Sequence, residues 1–177
     1  MRGSAHDPKL QNHFWRIRMA SLEWSDALSL DLPLMDDTHR EFVELLAIAQ
    51  RSTDEELPAS WQQLVDHTAE HFGQEDRWML ATRFSSVNCH SMQHKVVLEV
   101  MREGIALVAS GNTAALRDMA SELALWFPKH AQSMDAALAL HLRREGYDPV
   151  TGIVSCPAAG SILEEHLITG CGSISCA

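Results

Sequence analysis

Four stretches of this chain repeat apolar residues at the three-and-four spacing of a single helix face, and short polar breaks separate them. Asp36 or Asp37 can cap the first, which runs to Arg51 with Phe42, Leu45, Leu46 and Ala49 on one stripe. Pro58 suits the first turn of the second, which carries Trp61, Leu64, Val65, Thr68, Phe72 and Met79 and ends near Arg83. The third covers 87–110 and stops at Gly111-Asn112. The fourth follows Thr113 and reaches about Arg144, and Pro128 inside it predicts a kink or local break. Amphipathic helices joined by short loops predict an all-α fold, an up-down antiparallel four-helix bundle.

At 177 residues the chain suits one domain, expected over 21–148. Residues 1–20 are expected to be a flexible N-terminal segment. Residues 149–177 read as a tail containing Gly, Ser and Cys, with one short helical stretch around 162–168. Cys156, Cys171 and Cys176 fall in that tail and Cys89 stands apart, so no disulfide framework is expected for the core. A formal net charge of -10 excludes nucleic acid or an anionic membrane surface as the main partner, because both require a basic footprint. Apolar runs such as Ile105-Ala106-Leu107-Val108-Ala109 fall far short of the roughly 20 residues that span a bilayer. The first twenty residues contain no apolar signal-peptide centre, so a cytoplasmic location is expected.

The ten histidines are distributed unevenly over these helices. The first helix carries His39, the second His67, His71 and Glu75, the third His90 and His94, and the fourth His130 and Asp135. Residues four apart share a helix face. Antiparallel neighbours bring residues equally far from their connecting loop to the same height. His39 lies 16 residues before Glu55, and His71 lies 16 after it. Glu75 is 9 before Phe84, and His94 is 10 after it. His94 is 17 before Gly111, and His130 is 19 after it. At roughly 1.5 Å of rise per residue, all four helices deliver these donors to one layer. Burying so many polar groups without a metal would leave them unsatisfied. Imidazole and carboxylate together suit iron, zinc or manganese.

The order His, His-x3-Glu, His-x3-His, His-x4-Asp resembles the ligand signature of the hemerythrin family, as found in bacterial hemerythrin-like domains. Trp24, Met35-Asp36-Asp37-Thr38-His39, His71-Phe72-Gly73-Gln74-Glu75-Asp76-Arg77-Trp78-Met79, and Trp126-Phe127-Pro128-Lys129-His130 with Met134-Asp135 carry the resemblance. It implies two iron ions bridged by an oxo or hydroxo group in the bundle core. By that resemblance His90, His94 and His130 hold one iron, His39 and His71 hold the other, and Glu75 and Asp135 bridge them. Dioxygen would then bind reversibly at the two-histidine iron, for storage, delivery or sensing. Five neutral imidazoles and two carboxylates supply less negative charge than a carboxylate-rich di-iron site, so O–O cleavage is less favoured.

The competing reading is a di-iron enzyme handling peroxide or nitric oxide. No Glu here has a His three residues on, which argues against a ferritin-like oxidase. No HExxH is present for a zinc hydrolase. A separate protein partner would be needed for sensing, and the oligomeric state is left open. Phe42, Trp126 and Phe127 read as the wall of the oxygen pocket, or else as ordinary core. His67 reads as a hydrogen-bonding group behind the ligands, a plain core residue or an additional ligand. Cys89 points about 100° from His90 and is not a ligand. His141 is expected at the surface, and His6, His13 and His166 lie in the ends without a role. Where the family commonly has a glycine in its first segment, this chain has Asp31.

Overall fold

The computed structural model describes residues 22–155. The residues at 1–20, the short stretch at 162–168, Cys156, Cys171, Cys176, His6, His13 and His166 lie outside these. The bundle consists of α1 (Pro33–Arg51), α2 (Leu57–Ala81), α3 (Val87–Ala109), α4 (Thr113–His130) and α5 (Ala136–Arg144). A five-residue π turn, Ala131–Asp135, joins α4 to α5, so the two together form the fourth rod of the bundle. α1 packs on α2 and α4, α2 on α3, and α3 on α4. No helix among the described residues is long and apolar enough to cross a membrane.

Local chemistry fixes the helix ends. α1 starts at Pro33 rather than at an Asp36 or Asp37 cap, because proline is preorganised for a first turn and has no N–H to leave unpaired. Asp36 instead turns back and accepts hydrogen bonds from the Leu30 N–H and the Ser29 hydroxyl, both at 2.7 Å. Asp31 has a φ of 55°, a left-handed conformation that glycine adopts freely and aspartate tolerates better than most residues. α3 closes on Gly111 at φ 83°, and the Asn112 side chain caps α4 by accepting from the Ala115 N–H. Pro128 does not break the helix where it stands. The irregularity falls three residues later, in the π turn, where the Ser133 hydroxyl donates to the Lys129 carbonyl at 2.6 Å. Two short strands not expected from sequence, β1 (Tyr147–Asp148) and β2 (Ile153–Val154), pair antiparallel after the bundle.

The apolar interior is split in two. One cluster gathers Phe42, Leu46, Leu57, Trp61, Leu64, Met101, Leu116 and Phe127. The other gathers Leu32, Met35, Trp78, Met79, Phe84, Leu138 and Leu142. Along three rods the polar donors fall between a residue of one cluster and a residue of the other: His39 lies between Met35 and Phe42, His71 with Glu75 between Val65 and Trp78, and His130 with Asp135 between Phe127 and Leu138. On α3, His90 and His94 lie between Val87, packed against the second cluster, and Met101 of the first. A buried polar layer thus sits between two dry cores. Gly104 lets α3 approach closely, since a Cβ there would stand 2.7 Å from the Leu116 side chain, beside the Trp61 indole that donates to the Met101 carbonyl.

Candidate metal centre

His71 and Glu75 occupy successive turns of α2, as do His90 and His94 on α3. His130 and Asp135 are five apart, which on a regular α-helix would set them about 140° apart. The π turn closes with the Ala136 N–H bonded to the Ala131 carbonyl, an i→i+5 step that returns residues five apart to one face. His39 reaches the same layer from α1 and is fully buried.

These seven side chains meet, and they divide unequally. One oxygen of Glu75 lies 2.9 Å from His71 Nε2 and 3.8 Å from His39 Nε2; its other oxygen lies 3.4 Å from both His90 and His94 Nε2. Asp135 repeats the pattern: one oxygen is 3.2 Å from His39, and the other is 2.9 Å from His90 and 3.1 Å from His130. Donor atoms of Glu75, His90, His94, His130 and Asp135 all lie within 4.8 Å of one another, as do those of His39, His71 and Glu75. Two histidines therefore face one side of a carboxylate pair and three face the other. Among the described residues, His39 Nε2, His94 Nε2, one Glu75 oxygen and both Asp135 oxygens, all buried, have no hydrogen-bond partner. Orphaned buried groups of this kind are costly unless a cation satisfies them, so the donor set fits a pair of metal ions.

The electrostatics of these side chains agree. Burial alone would raise both carboxylates. His71 and His39 outweigh it and hold Glu75 below the ordinary carboxylate range, and the imidazoles of His130, His39 and His90 close around Asp135 hold it well below its own. Burial likewise opposes charging of His39, but the Asp135 and Glu75 carboxylates beside its Nε2 raise it from 6.5 to about 9. In the metal-free protein His39 faces His71, Glu75, Asp135 and the Phe127 ring. Its contribution to stability is fully present below pH 6.5 and is lost as the pH rises toward 9, whereas the carboxylates' contribution is lost as the pH falls below 4.5. Melts of chelator-treated protein should therefore give the highest midpoint between about pH 5 and 6.5 and a steady decline up to pH 9; a midpoint that rises with pH across that interval would show His39 neutral.

The remaining candidates fall around this layer. Phe127 meets the His39 ring edge-on at 5.2 Å and stacks on Phe42 at 4.4 Å. Trp126 stacks on His130 at 4.5 Å, meets Phe72 edge-on, and packs against the cluster that holds Phe42 and Phe127. His67 is not placed as an additional ligand. Its Nε2–H donates to the Thr38 carbonyl at 3.1 Å and its Nδ1 faces Glu41, so it ties α2 to α1 beside His39. Burial, with His71 nearby, pushes its pKa down. Cys89 is half-buried and outside the donor set. His141 is half-buried rather than at the surface, bonded to the Thr82 carbonyl and packed on Phe84, because the fourth rod leans on the end of α2 there. Sequence reading missed two partners of the donors, Asp76 at His94 Nδ1 and Gln93 at His130 Nδ1. Each bonds a histidine on a different helix, which no spacing along one helix discloses.

Fold and donor set together define a class: a four-helix-bundle metalloprotein with adjoining positions for two metal ions. A family profile described as the Hemerythrin HHE cation binding domain matches residues 30–141. The chain is 32% identical over 130 residues to a bacteriohemerythrin of Ralstonia nicotianae, covering 73% of this chain and 95% of that protein. It is 26% identical to a myohemerythrin of Sipunculus nudus, covering 63% of this chain and 86% of that one. A bacteriohemerythrin of Stenotrophomonas maltophilia is 26% identical, with 68% and 81% covered. The chain belongs to the hemerythrin family, whose cofactor is a di-iron centre.

Proposed function

We propose that this iron- and oxygen-binding protein takes up dioxygen reversibly at a di-iron centre, without turning it over. His90, His94 and His130 would hold one iron, His39 and His71 the other, and Glu75 and Asp135 would bridge them, with an oxo or hydroxo group between. The observation that carries this reading is the two-against-three split of imidazoles across a shared carboxylate pair. A bound iron pair supplies the electrons for reversible dioxygen binding; the protein decides where and for how long. Having one imidazole fewer, the His39–His71 side leaves room for a diatomic ligand. Glu75 and Asp135 bring two negative charges to two cations, and the limited charge of the set favours binding over cleavage of the O–O bond. Phe42 and Phe127 keep water from the His39 side, which slows loss of the oxygenated state. Reversible binding of this kind serves storage, delivery or sensing in the cytoplasm equally.

Anaerobic reduction of the iron-loaded protein is expected to give a colourless form. Air should develop a visible charge-transfer band that vacuum removes, with two irons per chain by metal analysis. Irreversible oxidation with steady peroxide or nitric oxide consumption would overturn the proposal in favour of an enzyme. Phe127→Ala should oxidise several-fold faster under air than the parent and should lose about 3–5 kcal/mol of stability, the usual cost of emptying a buried aromatic site. An unchanged oxidation rate would remove Phe127 from the pocket wall.

A further inference from the structure

The five clustered imidazoles turn Nε2 inward, and their outer nitrogens are treated very differently. The Nδ1 atoms of His39, His71 and His90 are buried and have no hydrogen-bond partner among the described residues. His130 Nδ1 lies 3.2 Å from the amide oxygen of Gln93, a neutral acceptor. His94 Nδ1 lies 3.1 Å from a carboxylate oxygen of Asp76, and that same oxygen accepts the Ser91 hydroxyl at 2.6 Å. Since a carboxylate only accepts, His94 must be the Nδ1–H tautomer, with the Nε2 lone pair facing the metal centre. Ser91 pins the acceptor from the turn of α3 below. Asp76 is 38% exposed and lines an open depression of about 310 Å3 between α2 and α3, together with Phe72, Gly73, Ser91, His94 and Lys95.

A carboxylate that draws on Nδ1–H shifts electron density toward Nε2 and makes the imidazole a stronger donor. Its negative charge, only partly screened at this depth, also favours the more highly charged ion bound beyond His94. We propose that Asp76 is a positioning residue that acts through His94 to lower the reduction potential of the three-histidine iron. The two irons are then unequal in donor strength as well as in donor number. The half that needs room for a ligand has no such support: among the described residues, neither His39 nor His71 has an acceptor at its outer nitrogen. This inference rests on the di-iron reading above. It assigns to the iron that keeps its full set of histidines the easier release of an electron, in the couple Fe2+ → Fe3+ + e−, with no atom transferred.

Redox titration of the iron-loaded full chain tests it, comparing the parent with Asp76→Asn and Asp76→Glu. Removing the charge should shift the ferrous/ferric equilibrium of one iron toward ferrous by about tenfold, equivalent to about 59 mV upward for a one-electron couple. The second couple should move less, two irons should remain bound, and Asp76→Glu should stay close to the parent. An independent readout uses the zinc-loaded parent alone. There the Nδ1–H proton resonance of His94 should lie downfield of those of the other four clustered histidines. Unchanged potentials in an Asp76→Asn protein that retains two irons, or a His94 resonance no further downfield than that of His130, would overturn the proposal. Either result would leave reversible oxygen binding by the parent intact, whereas a parent that fails to hold two irons would undo the di-iron reading itself.

Discussion

Replacing Glu75 with Gln is expected to reduce bound iron from two per chain to at most one and to abolish the oxygen-dependent colour change. Glu75 is the side chain that the two halves of the cluster share most fully: one oxygen faces His71 and His39, and the other faces His90 and His94. The amide keeps the shape and removes the charge. One of its two faces must then present N–H groups to a cation, so repulsion replaces attraction on that side. Outer partners of metal ligands typically account for about 10–100-fold in affinity, and loss of a shared ligand should exceed that. Thermal stability gives a second readout. A ligand present at about a thousand times its dissociation constant stabilises a fold by about 4 kcal/mol. The iron-induced rise in melting midpoint seen in the parent should therefore be largely absent from Glu75→Gln. Two tightly held irons in the variant would show that Glu75 lies beside the centre without bridging it.

The bundle and most of this centre were legible in the sequence for the same physical reason. Helix periodicity acts over three or four residues, and so do the pairs His71/Glu75 and His90/His94, so both can be read from spacing within one helix. Counting from the loops placed the pairs at one height because short connections force neighbours to run antiparallel. Boundaries were harder to read. At the start of α1 an aspartate that looks like a cap competes with Pro33, and the preorganised proline begins the helix while Asp36 serves the preceding loop. Contacts that the donors make with other side chains across helices were not legible. Asp76 stands next to Glu75 in the sequence, but only the approach of α3 brings it to His94. Trp126 sits one turn before His130, and its side of the cluster depends on how the fourth rod is rotated against α2.

The position of Asp135 relative to His130 is set by the π turn, where a change of one residue should have opposite effects depending on its sign. A π turn is an α-helix carrying one extra residue. Deleting the exposed Ser133 should restore regular geometry, place His130 and the Asp135 side chain four apart on one face, and return Leu138, Ala139 and Leu142 to the core in their present register. Inserting an alanine after Ser133 should instead rotate everything beyond it by about 100°. Asp135 would then leave the carboxylate pair, and Leu138 and Leu142, both fully buried, would turn outward. Each such loss costs about 2–5 kcal/mol when a core leucine is removed, and two together consume most of the roughly 5–15 kcal/mol that holds a domain folded. The deletion protein is expected to stay folded and bind iron, while the insertion protein binds none and melts non-cooperatively or at a much lower temperature. Circular dichroism melts with metal analysis on both proteins decide the matter. An insertion that still holds two irons would show that the chain can absorb an extra residue beyond Asp135, and that the five-residue spacing of the last two donors is held by packing around them rather than by the backbone turn between them.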